Sequence, residues 1–322
     1  MAADDDRRMS GASACGACGA GLLGRYCHDC GQDSDARPRP LRAWASEAFS
    51  ETNLVDGRTA RTLVALATRP ARLLQAYRDG AGDLYQTPTK LFVVMTALFL
   101  LTLNFADVAI YQYTAQRIDA SKPVAARADP DGVTAHLSNA VESERWMQKR
   151  VATPVDPVVT QAIAAAAERA ATELDRQNLL YENQTIREQA IISERLSNWL
   201  PNALWLLMPL YALLLIPFFR RRFVMEHLVF ALWAHVTAFA LLILLALANK
   251  LGAAAPAWVV VGPYLAYFTF TAAAYYGTTR LGALWRGVVH LALHVVLVLM
   301  PAAIVVAASA MDLEAFVRFI MA

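Results

Sequence analysis

Residues 199–219 and 228–247 are two apolar runs joined by Arg220-Arg221-Arg222 and a short linker. A helix crosses a bilayer with about 20 predominantly apolar residues, so each run is long enough. Three consecutive arginines between two spans belong on the cytoplasmic side. That single assignment sets the side of every other segment. Composition agrees with membrane insertion: 57% of the 322 residues are hydrophobic and mean hydropathy is +0.35, more apolar than a soluble domain of this size. The first ten residues, MAADDDRRMS, contain no apolar h-region, so no cleavable signal peptide is expected.

Three further runs complete a predicted set of five spans. The first begins after Pro88 with Lys90 as its anchor. Its core, 91–105, is short for a bilayer, and continuing past Asp107 to Tyr113 supplies the missing length. The fourth covers 257–276 and the fifth 287–308, with Pro301 inside it. Pro209 predicts a kink in the second span. Trp199, Trp258 and Trp285 fall at span ends, as in aromatic belts. With the three arginines inside, the loop with Lys250 falls outside and the loop with Arg280 and Arg286 falls inside. Every short loop then obeys the positive-inside rule, with the N-terminus in and the C-terminus out.

The four cysteines all lie near the N-terminus, in SACGACGAGLLGRYCHDCGQ. Cys15 and Cys18 form one CxxC knuckle, Cys27 and Cys30 the second, and eight residues separate them. Four thiolates at this spacing suit one tetrahedral zinc ion. A disulfide pair is the alternative, and a cytosolic N-terminus disfavours it because that compartment is reducing. His28 lies inside a knuckle and is expected to be a bystander. Core-forming side chains are few, mainly Leu22, Leu23 and Tyr26, so metal must supply the folding free energy. The ribbon is expected to share no core with the spans.

Between 37 and 90 there are nine basic and five acidic side chains, a net of +4. Leu41, Trp44, Ala45, Ala48 and Phe49 make one helical stripe, Leu63, Val64, Leu66 and Ala67 a second apolar stretch, and Pro70 starts a third helix ending near Gly80. Such helices suit anionic lipid headgroups at the inner leaflet; the alternative is packing on the protein's own bundle. Residues 114–198 are hydrophilic. Prolines interrupt the first half, but 158–198 holds no Pro or Gly, and Ile163, Ala167, Ala170 and Leu174 recur at helical spacing. A long helix running into the second span is predicted, paired with a helix near 134–150. The predicted organisation is therefore a zinc ribbon at 1–36, basic amphipathic helices at 37–90, and a first span at 91–113. An extracytoplasmic helical insert at 114–198, spans two to five within 199–309 and a short amphipathic tail at 310–322 follow. The fold class is all-α and polytopic.

Ionisable groups at membrane depth raise a functional question by default. His235 lies in the third span, and His290 and His294 share a face of the fifth. They form a candidate intramembrane polar site for a metal, haem or protons. The alternative is neutral histidines bonding between helices.

The stretches GRYCHDCGQ, RTLVALATRPARLLQAYRDG and YQTPTKLF together resemble a bacterial family of uncharacterised membrane proteins, known only as a domain of unknown function. The likeness covers about residues 15–110 in motif and the rest in architecture. The knuckles here lack the proline often found in that family. The resemblance implies a zinc ribbon joined to membrane spans and implies no activity. A non-enzymatic bacterial inner-membrane protein is expected, acting as a scaffold or regulatory adaptor. Its partners would be the lipid bilayer, a protein docked on the ribbon, and anionic headgroups. Nucleic acid is not expected, because Arg25 is the one basic residue of the ribbon, against Asp29 and Asp33. The alternatives are a transporter or lipid-handling protein, and a membrane redox or metal/haem protein built on the three histidines.

Overall fold

The computed structural model describes residues 14–15, 18–29, 57–78, 85–129, 135–220 and 222–310. Cys30, the stripe from Leu41, Gly80 and the tail beyond 310 lie outside them. The described chain is mostly helical. In order it forms α1 (Gly57–Thr68), α2 (Pro70–Arg78), α3 (Pro88–Ala106), β1 (Val108–Arg117), β2 (Ala125–Ala128), β3 (Ala135–Ser138) and β4 (Ala140–Lys149). Then come α4 (Pro157–Glu168), α5 (Glu173–Leu215), α6 (Val224–Lys250), α7 (Val261–Tyr276), α8 (Arg280–His294) and α9 (Met300–Ala310).

Among the described residues, four helical stretches are long and apolar enough to cross a membrane: Pro88–Ala106, Val224–Lys250, Ala257–Tyr276 and Arg280–Ser309. The apolar part of α5, Leu206–Leu215, is shorter. The last stretch starts earlier than the sequence pattern predicts, at Arg280, and contains a π-helical turn at Val295–Leu299 between α8 and α9. Pro301 explains that turn. It has no N–H for the carbonyl four residues back, and its ring would collide there; widening the preceding turn relieves both.

The chain forms two compact units. The first comprises Met1–Phe99, Leu207–Leu242 and Val260–His294. Its core is aromatic. Phe230, Trp233, Phe239 and Phe268 are buried, with Phe99 stacked on Phe239 and Phe268 edge-on to Phe230. Gly277 ends α7 in the left-handed conformation, φ 68°, where glycine carries no Cβ penalty. The two short helices settle the alternatives for their segment unequally. Leu73 and Leu74 of α2 are fully buried, Tyr77 packs on Trp233, and Gln75 Nε2 donates to the Ala274 carbonyl. So α2 packs on the protein's own bundle. In α1 the buried residues are Thr59, Thr62 and Leu66, while Leu63 and Val64 of the apolar stretch face outward. Lys90 is also no surface anchor: it is 1% exposed.

The second unit comprises Leu100–Leu206, Ile243–Val259 and Val295–Ala322, and here the all-α expectation is corrected. The first span does not continue to Tyr113. Asp107 adopts φ 54°, which stops α3, and the chain leaves as strand β1. Acidic and amide side chains visit this left-handed region more readily than others. The following VAIYQYT is rich in β-branched and aromatic residues, which suit a pleated surface. β1 pairs antiparallel with β4, placing Tyr111 opposite Trp146 and Ala115 opposite Glu142, so the helix predicted near 134–150 is a strand. β2 and β3 form a second, two-stranded sheet.

The predicted long helix from 158 is broken between Glu168 and Glu173. Thr172 caps the new start: its hydroxyl accepts from Asp175 N–H and donates to the Asp175 carboxylate. From there α5 runs without interruption into the second apolar run, as predicted. Val159, Ile163 and Ala167 of α4, Leu179 and Ile186 of α5, and Tyr113 and Ala115 of β1 make the core of this unit. Leu174 is exposed. Asn249, near the end of α6, is buried and donates to the carbonyls of Met147 and Ala255, while its oxygen accepts from Ala255 N–H.

Candidate metal centre and intramembrane polar cluster

The N-terminal knuckle is built by its backbone. Gly19 N–H donates to the Cys15 carbonyl and Cys15 N–H to the Ala20 carbonyl. The turn between them passes through Gly19 at φ 83°, a conformation that favours glycine. Ala20 N–H points at Cys18 Sγ at 3.5 Å. A bridge between Ala14 and Gly21 closes the hairpin.

This brings Cys15, Cys18 and Cys27 together, with all three sulfurs within 4.8 Å of one another. Cys18 Sγ and Cys27 Sγ are 3.6 Å apart. That is far beyond an S–S bond of about 2.05 Å. It is close to the edge of a tetrahedron of sulfurs around zinc, roughly 3.8 Å for Zn–S bonds of about 2.3 Å. The donor set, three thiols with one N–H directed at a sulfur, fits a soft-ligand metal site. Among the described residues this is the one such group of three. Cys30 lies outside them. His28 is exposed.

The surroundings of the cysteines differ from the sequence expectation. Cys15 and Cys27 are buried against Ala76 of α2, with Cys18, Ala20, Leu22 and Tyr85 packed around them. Arg72, one turn before Ala76, reaches the Cys18 carbonyl at 3.5 Å. The cysteine hairpin therefore does share a core with α2. The hairpin has few apolar residues of its own. That scarcity is what makes it borrow a surface. Leu23 and Tyr26 point the other way, 87% and 61% exposed.

The three histidines, 55 residues apart at the nearest between helices (235 to 290), converge on a residue that no sequence signal marks, Tyr211. Its ring lies edge-on to His235 at 4.9 Å, His290 at 4.3 Å and His294 at 5.1 Å between centroids. Its hydroxyl bonds the Tyr264 hydroxyl at 2.5 Å. His235 Nδ1–H donates to the Ala231 carbonyl at 2.8 Å, and His290 Nε2–H to the Tyr211 carbonyl at 3.0 Å. His294 is buried, and its Nδ1 has no hydrogen-bond partner among the described residues. The three imidazoles thus stand around an aromatic ring, each with its own neighbours, and their nitrogens do not gather within the spacing of a ligand set.

Together these features define a mostly helical, membrane-type chain carrying a cysteine cluster suited to a metal ion. Within it, residues 56–100 match a family model described as a protein of unknown function, DUF3667. That stretch is α1, α2 and most of α3, the part against which the cysteine cluster rests. No curated protein and no solved structure matches the chain.

Proposed function

We propose that this chain is a non-enzymatic adaptor of a bacterial inner membrane, with a zinc ribbon as its docking module. The observation that carries the reading is the two-sidedness of the ribbon. One side, with Cys15 and Cys27, is held on α2; the other presents Leu23 and Tyr26 to solvent, with the Arg25 guanidinium over the Tyr26 ring. Exposed aliphatic and aromatic side chains on a rigid hairpin tip suit a protein partner. In this reading Cys30 completes a closed four-thiolate site, which leaves no open position for chemistry.

The topology that goes with it has five spans, N-terminus inside, with α5 supplying the second from residue 199. The arginine triplet supports that orientation, and it places β1–β4 and α4 outside the cytosol. Exposed Leu63 and Val64 beside Arg58 and Arg61 suit α1 to anionic headgroups. A photo-crosslinking residue at Leu23 in native membranes should capture one defined protein, and Cys27→Ser should abolish the capture. Labelling that survives Cys27→Ser would reject the ribbon as the docking module. Reporter fusions at 125 and 222 test the topology: an externally active reporter at 222 would overturn it.

A further inference from the structure

We propose that the ribbon is a metal-dependent clasp on the bundle: zinc at the cysteine cluster sets how firmly α2 is seated against α6 and α7. The proposal rests on the reading of the cluster as a zinc site and concerns its coupling to the membrane helices.

α2 has nine residues and contacts on two sides. On one side Ala76 shares a buried cluster with Cys15 and Cys27, and Arg72 holds the Cys18 carbonyl. On the other, Tyr77 packs on Trp233 of α6 at 5.4 Å between centroids, and Gln75 Nε2 reaches the Ala274 carbonyl of α7 at 3.4 Å. The Tyr77 hydroxyl also donates to the Gln86 carbonyl, tying α2 to the start of α3.

Neither partner is stable by itself. An isolated helix shorter than about 12 residues is marginal in water. A ribbon whose buried cluster consists of Cys15 and Cys27 against Ala76 has no core without metal. Each therefore supplies part of the surface on which the other orders. Two ordering events that share a surface have a coupling free energy, and that coupling is reciprocal. Zinc tightens the seat of α2, and the seat of α2 tightens zinc binding by the same factor.

Full-length protein in detergent micelles tests this in both directions. Hydrogen exchange, followed by mass spectrometry, is measured with zinc bound and after chelation. Peptides covering 70–78 should exchange at least about tenfold faster without zinc, in the usual range of coupling energies. Peptides covering 157–168 in α4 should not change. In the reverse direction, Tyr77→Ala touches no sulfur but loosens α2 on Trp233. It should weaken zinc binding about tenfold in competition with a chromophoric chelator, while Ala67→Asp on the exposed face of α1 should not. Metal analysis separates the outcomes. No bound zinc overturns the zinc reading and the clasp with it. Bound zinc, with exchange at 70–78 indifferent to chelation or with unchanged affinity in Tyr77→Ala, overturns the clasp alone.

Discussion

The Nε2–H of His290 donates to the backbone carbonyl of Tyr211 at 3.0 Å, across 79 residues of sequence. That bond fixes the tautomer of His290 and lays its ring against the edge of the Tyr211 ring. With His235 bonded to its own helix, two of the three imidazoles use a nitrogen for structure.

The first prediction follows from that geometry. His290→Ala should leave bound metal and visible absorbance unchanged and lower the unfolding midpoint of the protein in detergent. A hydrogen bond between membrane helices contributes about 0.6 kcal/mol on average and up to about 1.7. The hole left beside Phe268 and Phe218 adds to this, for roughly 1–3 kcal/mol in all. Loss of a chromophore or metal in the variant would instead make the cluster a ligand site.

Asp156 is the second case. It caps α4 by accepting from Val158 N–H at 2.9 Å, and Pro157 follows at the first helical position. Arg117 of β1 donates to the same carboxylate at 2.6 Å, so the residue joins strand to helix. Arg117 and the Val158 N–H hold its carboxyl below the usual carboxylate range. A carboxyl depressed in the folded state contributes stability above its unfolded pKa, and that contribution is lost as pH falls through the folded value. Asp156→Ala should speed exchange at 157–168 by an amount equivalent to about 0.5–2 kcal/mol at pH 7. The difference should shrink toward pH 3. A difference that persists in acid would contradict the ion-pair part of the account.

What the sequence disclosed depended on how far each signal reached. Apolar runs of 20 residues disclosed the helices of 224–250, 257–276 and the last span, because one periodic segment decides each of them. The CxxC spacing brought Cys15, Cys18 and Cys27 to one point because the contacts are local. The strands were missed for the opposite reason. β1 becomes a strand only because β4, 23 residues after its end, pairs with it, and because Asp107 turns left-handed. Apolarity alone made 108–113 look like more helix. The break before Glu173 was legible in hindsight: Thr172 and Asp175 stand at capping-box spacing, a signal overshadowed by the absence of Pro and Gly. The convergence of three histidines on Tyr211 is tertiary, and no local pattern points to it.

Glu182 gives a prediction of opposite sign to Asp156. It is partly buried on α5, and burial together with the charge of Glu142 on β4 raises its carboxyl above the usual range. Glu142 itself accepts from the Tyr113 hydroxyl. A carboxyl raised in the folded state destabilises the fold once it ionises: the cost is absent below the unfolded pKa and complete above the folded one. Glu182→Gln removes that ionisation while keeping size and hydrogen bonding. Amide protection of 108–117 and 179–190 should therefore rise at pH 7 and match the parent near pH 4. Equal protection at both pH values would mean that the carboxylate is solvated and carries no cost.

The last prediction concerns Gly287, where α8 meets α7. A Cβ there would lie 2.6 Å from Phe268 Cδ1 and 2.9 Å from Cε1, closer than real carbons approach. The ring has nowhere to move: Phe268 is 1% exposed, edge-on to Phe230 and stacked beside His290. In an open helix, Gly→Ala stabilises by roughly 0.5–1 kcal/mol, because glycine loses more backbone freedom on ordering. Here overpacking opposes it at about 1–3 kcal/mol, and the larger effect wins. Gly287→Ala should thus destabilise, whereas Gly262→Ala in α7, where nothing lies within 4 Å, should be neutral or stabilising. Phe268→Leu shortens the obstructing ring, so the double variant Gly287→Ala/Phe268→Leu should be more stable than the sum of the two single changes allows. An additive double-mutant cycle would show that the two residues do not meet, and that α8 packs on α7 differently from the arrangement described.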